Sequence, residues 1–150
     1  EKAAKVLNDF CIPFEINALS AHRTPAEVES FAKNAQKRGI EVIIAGAGMA
    51  AHLPGVIAAM TPIPVIGVPI NASLDGMDAL LAIAQMPPGI PVATTAINGA
   101  MNAGILAAQI LAIGDNALKA KIVDFKESLK KKIVDANNEL AKVKYDYKTN

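Results

Sequence analysis

Apolar residues in the first three-quarters of the chain switch repeatedly between a helical stripe and a short β-like run. Ala3, Val6, Leu7 and Phe10 recur at helical spacing and predict a helix over 2–11. Phe14–Leu19 reads as a strand. Thr24 then fits an N-cap, Pro25 the first helical position, and Glu27 the third residue of a capping box. Val28, Phe31, Ala32 and Ala35 share one face of that helix, and Gly39 ends it. Strands are predicted at Glu41–Ala45, Pro64–Val68 and Pro91–Thr95. Between them fall a short helix over Leu53–Met60 and a helix opened by Ser73, with Met77, Leu80, Leu81 and Ala84 facing inward. A last helix, Asn102–Ile113, carries Ala103, Leu106, Ile110 and Ile113 on one stripe. Strand and helix alternate, the pattern of an α/β domain built on a doubly wound parallel sheet. Such a domain opens with a strand, whereas Glu1 lies within a helical pattern. A strand of roughly five or six residues is therefore expected upstream of Glu1.

The pattern changes after residue 115. Leu118, Ile122, Phe125, Leu129, Ile133, Ala136, Leu140, Val143 and Tyr147 follow one another in steps of three or four, separated by Lys, Glu and Asp. The chain is thus expected to divide into a globular domain, 1–115, and a long C-terminal helical extension, 116–150. A single helix cannot bury such a seam alone, so its outer part is expected to embrace another subunit. The alternative is a solvated helix folded on its own domain.

Composition narrows this picture. The 150 residues suffice for one domain with a core, and 52% are hydrophobic. Tryptophan is absent and aromatics make up 4%, so the core must be aliphatic, as in buried parallel sheets. A net charge of +1 argues against a broad nucleic-acid footprint. The one cysteine, Cys11, fits a reducing cytoplasm and sits in an apolar setting where core filling is the expected role. No apolar run is long enough to span a bilayer, and no leader pattern opens the chain.

Candidate chemistry concentrates in two loops, each holding one of the two histidines. Ser20-Ala21-His22-Arg23-Thr24-Pro25 joins a strand end to a helix N-terminus, a place receptive to anions. Arg23 adds a forked cation suited to phosphate or carboxylate, Ser20 a hydroxyl, and His22 a group able to take and return a proton near neutral pH. The plainer alternative is a helix cap beside an incidental Arg and His. The second loop is Gly46-Ala47-Gly48-Met49-Ala50-Ala51-His52. Its small residues let backbone approach a ligand, though they would also serve tight packing. It is neither a Walker loop nor a dinucleotide fingerprint. His52 is either a ligand contact or a satisfied interior histidine. Two histidines and one cysteine lack metal-ligand spacing. Asp75 and Asp78 fit favourable first-turn charges better than a catalytic pair. Gln85-Met86-Pro87 either closes a pocket or makes a turn.

Taken in order, Ser20–Pro25, Ala45–Gly55, Pro64–Pro69, Gln85–Pro87, Gly89–Thr94 and Asn102–Ala108 resemble the PurE family, the N5-carboxyaminoimidazole ribonucleotide mutases of purine biosynthesis. The likeness covers 1 to about 115, and the Ala50–Gly55 form resembles the mutase class. It implies a flavodoxin-like three-layer α/β/α fold, a cytoplasmic homo-octamer with sites at subunit junctions, and no metal or organic cofactor. It also implies an isomerase that moves a carboxylate from the exocyclic nitrogen of an imidazole ribonucleotide to ring carbon C4. By match to the family motifs, His22 is the proton carrier, and Ser20 and Arg23 contact the ribonucleotide phosphate. Ala47, Gly48, Ala51, His52 and Leu53 match the loop that closes on the imidazole and its carboxylate. The family's Gly-Ser-x-Ser-Asp segment is expected upstream of Glu1 with the first strand. Met49 stands where the commonest family form has glycine. The alternatives are a carboxylase using CO2 directly, a non-catalytic ribonucleotide-binding module, and a structural assembly subunit.

Overall fold

A computed structural model describes residues 1–150, in two compact units, Glu1–Leu111 and Ala112–Asn150. The first unit contains helices α1 (Lys2–Asp9), α2 (Pro25–Ala35), α3 (Leu53–Ala58), α4 (Met77–Ala84) and α5 (Ala100–Leu111). Its strands are β1 (Ile43–Gly48), β2 (Val65–Ile70) and β3 (Ala93–Thr94). The strands form one parallel sheet in the order β1-β2-β3, with Ile43 opposite Val65, Gly48 opposite Ile70, and Gly67 opposite Thr94.

Alternation along the strands distributes side chains to two helical layers. On one face Ile43, Ala45 and Val65 pack with Val28, Ala32 and Ala35 of α2 and Ile57 of α3. On the other, Ile66 and Val68 pack with Ala103 and Ala107 of α5, with Leu7 of α1 against them. Ala79 and Ile83 of α4 join Ala51 in a third cluster. Val28, Ile66 and Ile83 are completely buried, each contributing about 1.5–3 kcal/mol of transfer free energy. Gly67 is the most tightly approached glycine: a Cβ there would lie 2.3 Å from Ile83 Cγ2 and 3.1 Å from Val92 Cγ1.

Several sequence expectations are corrected. Phe14–Leu19 forms no strand. Between this segment and β1 lies a groove of about 700 Å³ lined by Phe14, Asn17, Leu19, Val42 and Ile44, so the two backbones do not meet to share a ladder. The strand around 91–95 is cut to two residues. In α4 the inward residues are Ala79 and Ile83, while Met77 and Leu81 are about half exposed. In α5 the buried stripe is Ala103, Gly104, Ala107 and Ala108, and Ile113 lies beyond the helix at 87% exposure. In α5 small residues face inward because α1 approaches closely, and Gly104 meets the α1 backbone at Ala3; in α4 the large Ile83 faces inward over Gly67, which leaves room for it. Cys11 is exposed rather than in the core. It ends α1 at φ 60°, its N–H donating to the Asn8 carbonyl and that of Ile12 to Leu7, a helix stop that turns the side chain outward.

The second unit is dominated by α6 (Asn116–Lys142). Asp115 caps it, its carboxylate accepting from the N–H groups of Ala117 at 2.8 Å and Leu118 at 3.0 Å. Leu118 and Ile122 are buried, whereas Leu129, Ile133 and Leu140 are exposed. Val143 and Tyr147 lie past the helix end, so the expected seam stops short of them. No helix is long and apolar enough to cross a membrane.

Candidate active site

Both histidine loops lie at the carboxyl edge of the sheet, where β1 ends. The Ser20–Pro25 segment is a tight turn braced by two residues. The Ser20 N–H donates to Thr24 Oγ1 at 2.9 Å, the Thr24 hydroxyl donates to the Ser20 carbonyl at 3.1 Å, and the Thr24 N–H reaches the same carbonyl at 2.9 Å. Thr24 is the N-cap of α2 by position, but its hydroxyl is spent on Ser20 and makes no cap bond to the helix, so the expected capping box does not form. The Arg23 N–H donates to Ser20 Oγ at 3.2 Å. The brace fixes His22 and Arg23 at the tip of the turn, both exposed. Arg23 takes part in none of the ion pairs, so its guanidinium has no carboxylate to neutralise it.

The second loop leaves the end of β1. Ala47 and Gly48 are its last strand residues, paired with Pro69 and Ile70 of β2. A Cβ on Gly48 would lie 3.0 Å from Ala72 Cβ and 3.2 Å from the Ile70 carbonyl oxygen, so this strand end runs tight against the β2–α4 connection. Met49 follows at φ 56°, in the left-handed region, with its side chain exposed. That conformation costs glycine nothing and a side chain about 1–2 kcal/mol. Ala51 is buried against α4, anchoring the loop. His52 then starts α3: its N–H donates to the Ala50 carbonyl at 2.7 Å and its carbonyl accepts from Val56 at 2.9 Å. Leu53 is half buried, packed on the α2–α3 cluster, and Pro54 is wholly buried.

The two loops meet through their histidines. His22 Nε2 lies 2.9 Å from His52 Nδ1, and the rings stand edge to face at 89° with centroids 5.0 Å apart. Residues 30 positions apart are thus brought together, and His52 is exposed rather than a satisfied interior histidine. Ser20, Arg23 and Ala51 lie on the two loops that make this contact, and Ala47, Gly48 and Leu53 on the strand end and helix start that flank the second. A permanent cation, a pair of imidazoles and a small-residue wall can bind an anion and exchange a proton beside it.

A third loop on this edge carries no expectation from the sequence motifs above. The Asn98 N–H donates to the Pro69 carbonyl at 2.7 Å and its Oδ1 accepts from the Asn71 N–H at 3.1 Å, tying the connection after β3 to the end of β2. The signal available is Asn98-Gly99, a turn dipeptide; Asn98 indeed lies at φ 58°. Asp78 accepts hydrogen bonds from the Ser73 hydroxyl and the Ala79 N–H, which occupies it structurally. Met86 covers α3 at Gly55, where a Cβ would come within 3.0 Å of its Sδ. No group of three His, Cys, Asp or Glu side chains has a metal-binding arrangement.

Comparison with known proteins bears on this site. The family model described as AIR carboxylase matches residues 1–132. The N5-carboxyaminoimidazole ribonucleotide mutase of Thermotoga maritima is 52% identical over 146 residues, covering 97% of this chain and 85% of that protein. The phosphoribosylaminoimidazole carboxylase of Schizosaccharomyces pombe is 52% identical over 142 residues, 94% of this chain but 26% of that longer protein. Among solved structures, Treponema denticola PurE superposes with a TM-score of 0.79 at 27% identity, covering 93% of this chain and 87% of that one.

Proposed function

The chain belongs to the AIR carboxylase (PurE) family, and from that premise we propose that His22 is its proton carrier, with Ser20, Arg23 and the loop from Ala47 to Leu53 holding the substrate. The fold is the flavodoxin-like α/β architecture of that family with a long C-terminal helix. Its activity is that of an N5-carboxyaminoimidazole ribonucleotide mutase, an isomerase of purine biosynthesis acting on an imidazole ribonucleotide. The observation that carries the site assignment is the 2.9 Å contact joining the imidazoles of two loops beside an unpaired arginine.

The reaction follows from those groups. Protonated His22 gives its proton to the exocyclic nitrogen as the N–CO2 bond breaks; the bond's electrons stay on nitrogen and CO2 is released. C4 of the imidazole attacks the CO2 carbon, forming the new C–C bond. Neutral His22 then removes the C4 proton, restoring aromaticity and its own starting state. One imidazole acts first as acid and then as base, so the net reaction takes up no proton. CO2 must stay beside C4 between the two steps, and the small wall of Ala47, Gly48 and Ala51 suits a dry pocket of that size. Arg23 and Ser20 anchor the phosphate at the α2 N-terminus.

The direct carboxylase is distinguished by the source of the carboxylate. With substrate labelled at the N-carboxylate and an excess of unlabelled bicarbonate, the mutase returns labelled product. Unlabelled product would assign the carboxylase instead.

The apolar positions of α6 beyond Ile122 support a role in assembly, and we read the working enzyme as a cytoplasmic homo-octamer. A mass from light scattering near eight times the chain supports this; a monomer at working concentration overturns it.

A further inference from the structure

We propose that the Met49 side chain covers the occupied active site, folding over the imidazole ring of the substrate and keeping CO2 beside C4 between the two steps. This rests on the mutase reading and deepens it by naming the group that closes the pocket toward solvent.

Two observations single out this residue. From Ala45 to Ala51 every side chain except that of Met49 is a methyl group or a hydrogen. Such a wall shapes a small cavity but reaches over nothing; Met49 alone extends beyond Cβ. The second observation is its backbone. Met49 lies at φ 56°, where Cβ is crowded against the following carbonyl oxygen. Strain of this kind persists only where the surroundings over-determine it, and it gathers at ligand clamps. Here the neighbours impose it: Gly48 is paired with Ile70, Ala51 is buried against α4, and the His52 N–H closes on the Ala50 carbonyl at 2.7 Å. Yet the side chain gains little packing within the chain, being 58% exposed. A strained backbone thus holds out an unsheltered apolar side chain three residues before His52, which touches His22.

The chemistry supplies what that side chain lacks. CO2 carries no charge, so neither Arg23 nor His22 holds it electrostatically; only enclosure keeps it from solvent. Methionine suits a cover that must open and close, since it is unbranched, has three rotatable bonds and makes favourable contacts between its sulfur and aromatic rings. The substrate brings such a ring. Folding onto it removes apolar surface of both groups from water and excludes water from the reacting centre. A turnover that loses its CO2 ends differently: the N–CO2 bond has broken, the His22 proton stays on the exocyclic nitrogen as a free amine, CO2 is hydrated in solution, and neutral His22 regains a proton from water.

The test uses the full chain with Met49→Ala, which keeps Cβ and removes the thioether, and Met49→Leu, which restores apolar reach. Substrate labelled with ¹³C at the N-carboxylate is turned over in excess unlabelled bicarbonate, and the protein-free decay is subtracted. The unsubstituted protein is expected to retain its label. Met49→Ala is expected to raise the share of turnovers that lose label or stop at the free amine by about 2- to 10-fold, the range of a sulfur–aromatic contact. Met49→Leu is expected to recover most of that loss. A merely structural effect of the substitution slows product formation without diluting the label. A second readout needs no turnover: in protein carrying ¹³C-methyl methionine, the Met49 methyl resonance, assigned by its absence from Met49→Ala, is expected to move upfield when the C4-carboxylated product is added to saturation. Equal label retention in Met49→Ala and the unsubstituted protein overturns the proposal, as does an unmoved methyl resonance. Failure of the mutase reading looks different: the unsubstituted protein itself then returns unlabelled product, and the methyl resonance alone decides the cover.

Discussion

Gly67→Ala adds one methyl group at the most crowded glycine of the sheet. The new Cβ would sit 2.3 Å from Ile83 Cγ2, 3.1 Å from Val92 Cγ1 and 3.5 Å from Pro54 Cβ. Carbon atoms in contact prefer about 3.5–4.0 Å, so Ile83 must retreat by more than about 1 Å. It has little freedom to do so. The methyl is on a β-branched carbon with one favoured χ1, the side chain is completely buried, and Gly67 lies mid-strand between two neighbours. Overpacking of this kind costs about 1–3 kcal/mol, and the rigidity of Ile83 puts the expected cost at the upper end, about 2–3 kcal/mol. Urea unfolding followed by circular dichroism checks it: the midpoint falls with an unchanged slope. The cause is checked by Ile83→Ala, which costs about 2–5 kcal/mol alone but removes the clashing methyl. The double variant is therefore expected to be more stable than the sum of the single losses by about 1 kcal/mol or more. A loss below about 0.5 kcal/mol for Gly67→Ala, or strict additivity, would refute the reasoning. Because Ile83 and Ala79 share a cluster with Ala51, a displaced α4 also reaches the loop that ends at His52, and mutase activity should fall with stability.

Three further outcomes follow from individual contacts. Met49→Gly relieves a left-handed backbone at an exposed position; after the chain entropy that glycine adds to the unfolded state, it should be neutral or stabilising by up to about 1 kcal/mol in the same assay, and a loss of stability would show that the Met49 side chain makes a needed contact. Asp115→Ala removes the acceptor for two N–H groups of α6 and should cost about 0.5–2 kcal/mol, read as an earlier loss of helical signal on heating; an unchanged profile would remove Asp115 as the cap. The Arg38 guanidinium, hydrogen-bonded to Glu15 and stacked near Phe31, holds the Glu15 carboxyl below its ordinary range. A depressed carboxyl supports the fold above its unfolded pKa and loses that support as pH falls through the folded one, so Arg38→Ala should raise the Glu15 pKa by NMR and flatten that small acid-side dependence; an unmoved Glu15 would contradict it.

Much of this architecture was legible because large aliphatic residues set its period. Val28, Ala32 and Ala35 announced α2, and the Val65–Val68 run announced the central strand. Legibility failed where small residues carry the contact. Hydropathy weights Met77 and Leu81 above Ala79, yet α4 presents Ala79 and Ile83 because the surface beneath is glycine and alanine. Phe14–Leu19 has a strand's composition, but pairing depends on a neighbour within ladder distance, which composition does not encode. At the site, each loop was visible by its residue types. The contact between His22 and His52 was not, since it depends on where a turn and a helix start lie in space. Nor does the residue letter reveal the left-handed backbone at Met49, a conformation that favours glycine.

In the proposed mechanism His22 gives and then retakes one proton. The most direct measurement is turnover of the N-carboxylated substrate by His22→Asn alongside its equilibrium binding to the same variant. The substrate contacts proposed for Ser20, Arg23 and the Ala47–Leu53 loop predict affinity within a few-fold of the unsubstituted protein. The absence of an acid and base predicts a kcat lower by about 10² or more. Turnover near that of the unsubstituted protein would contradict the assignment.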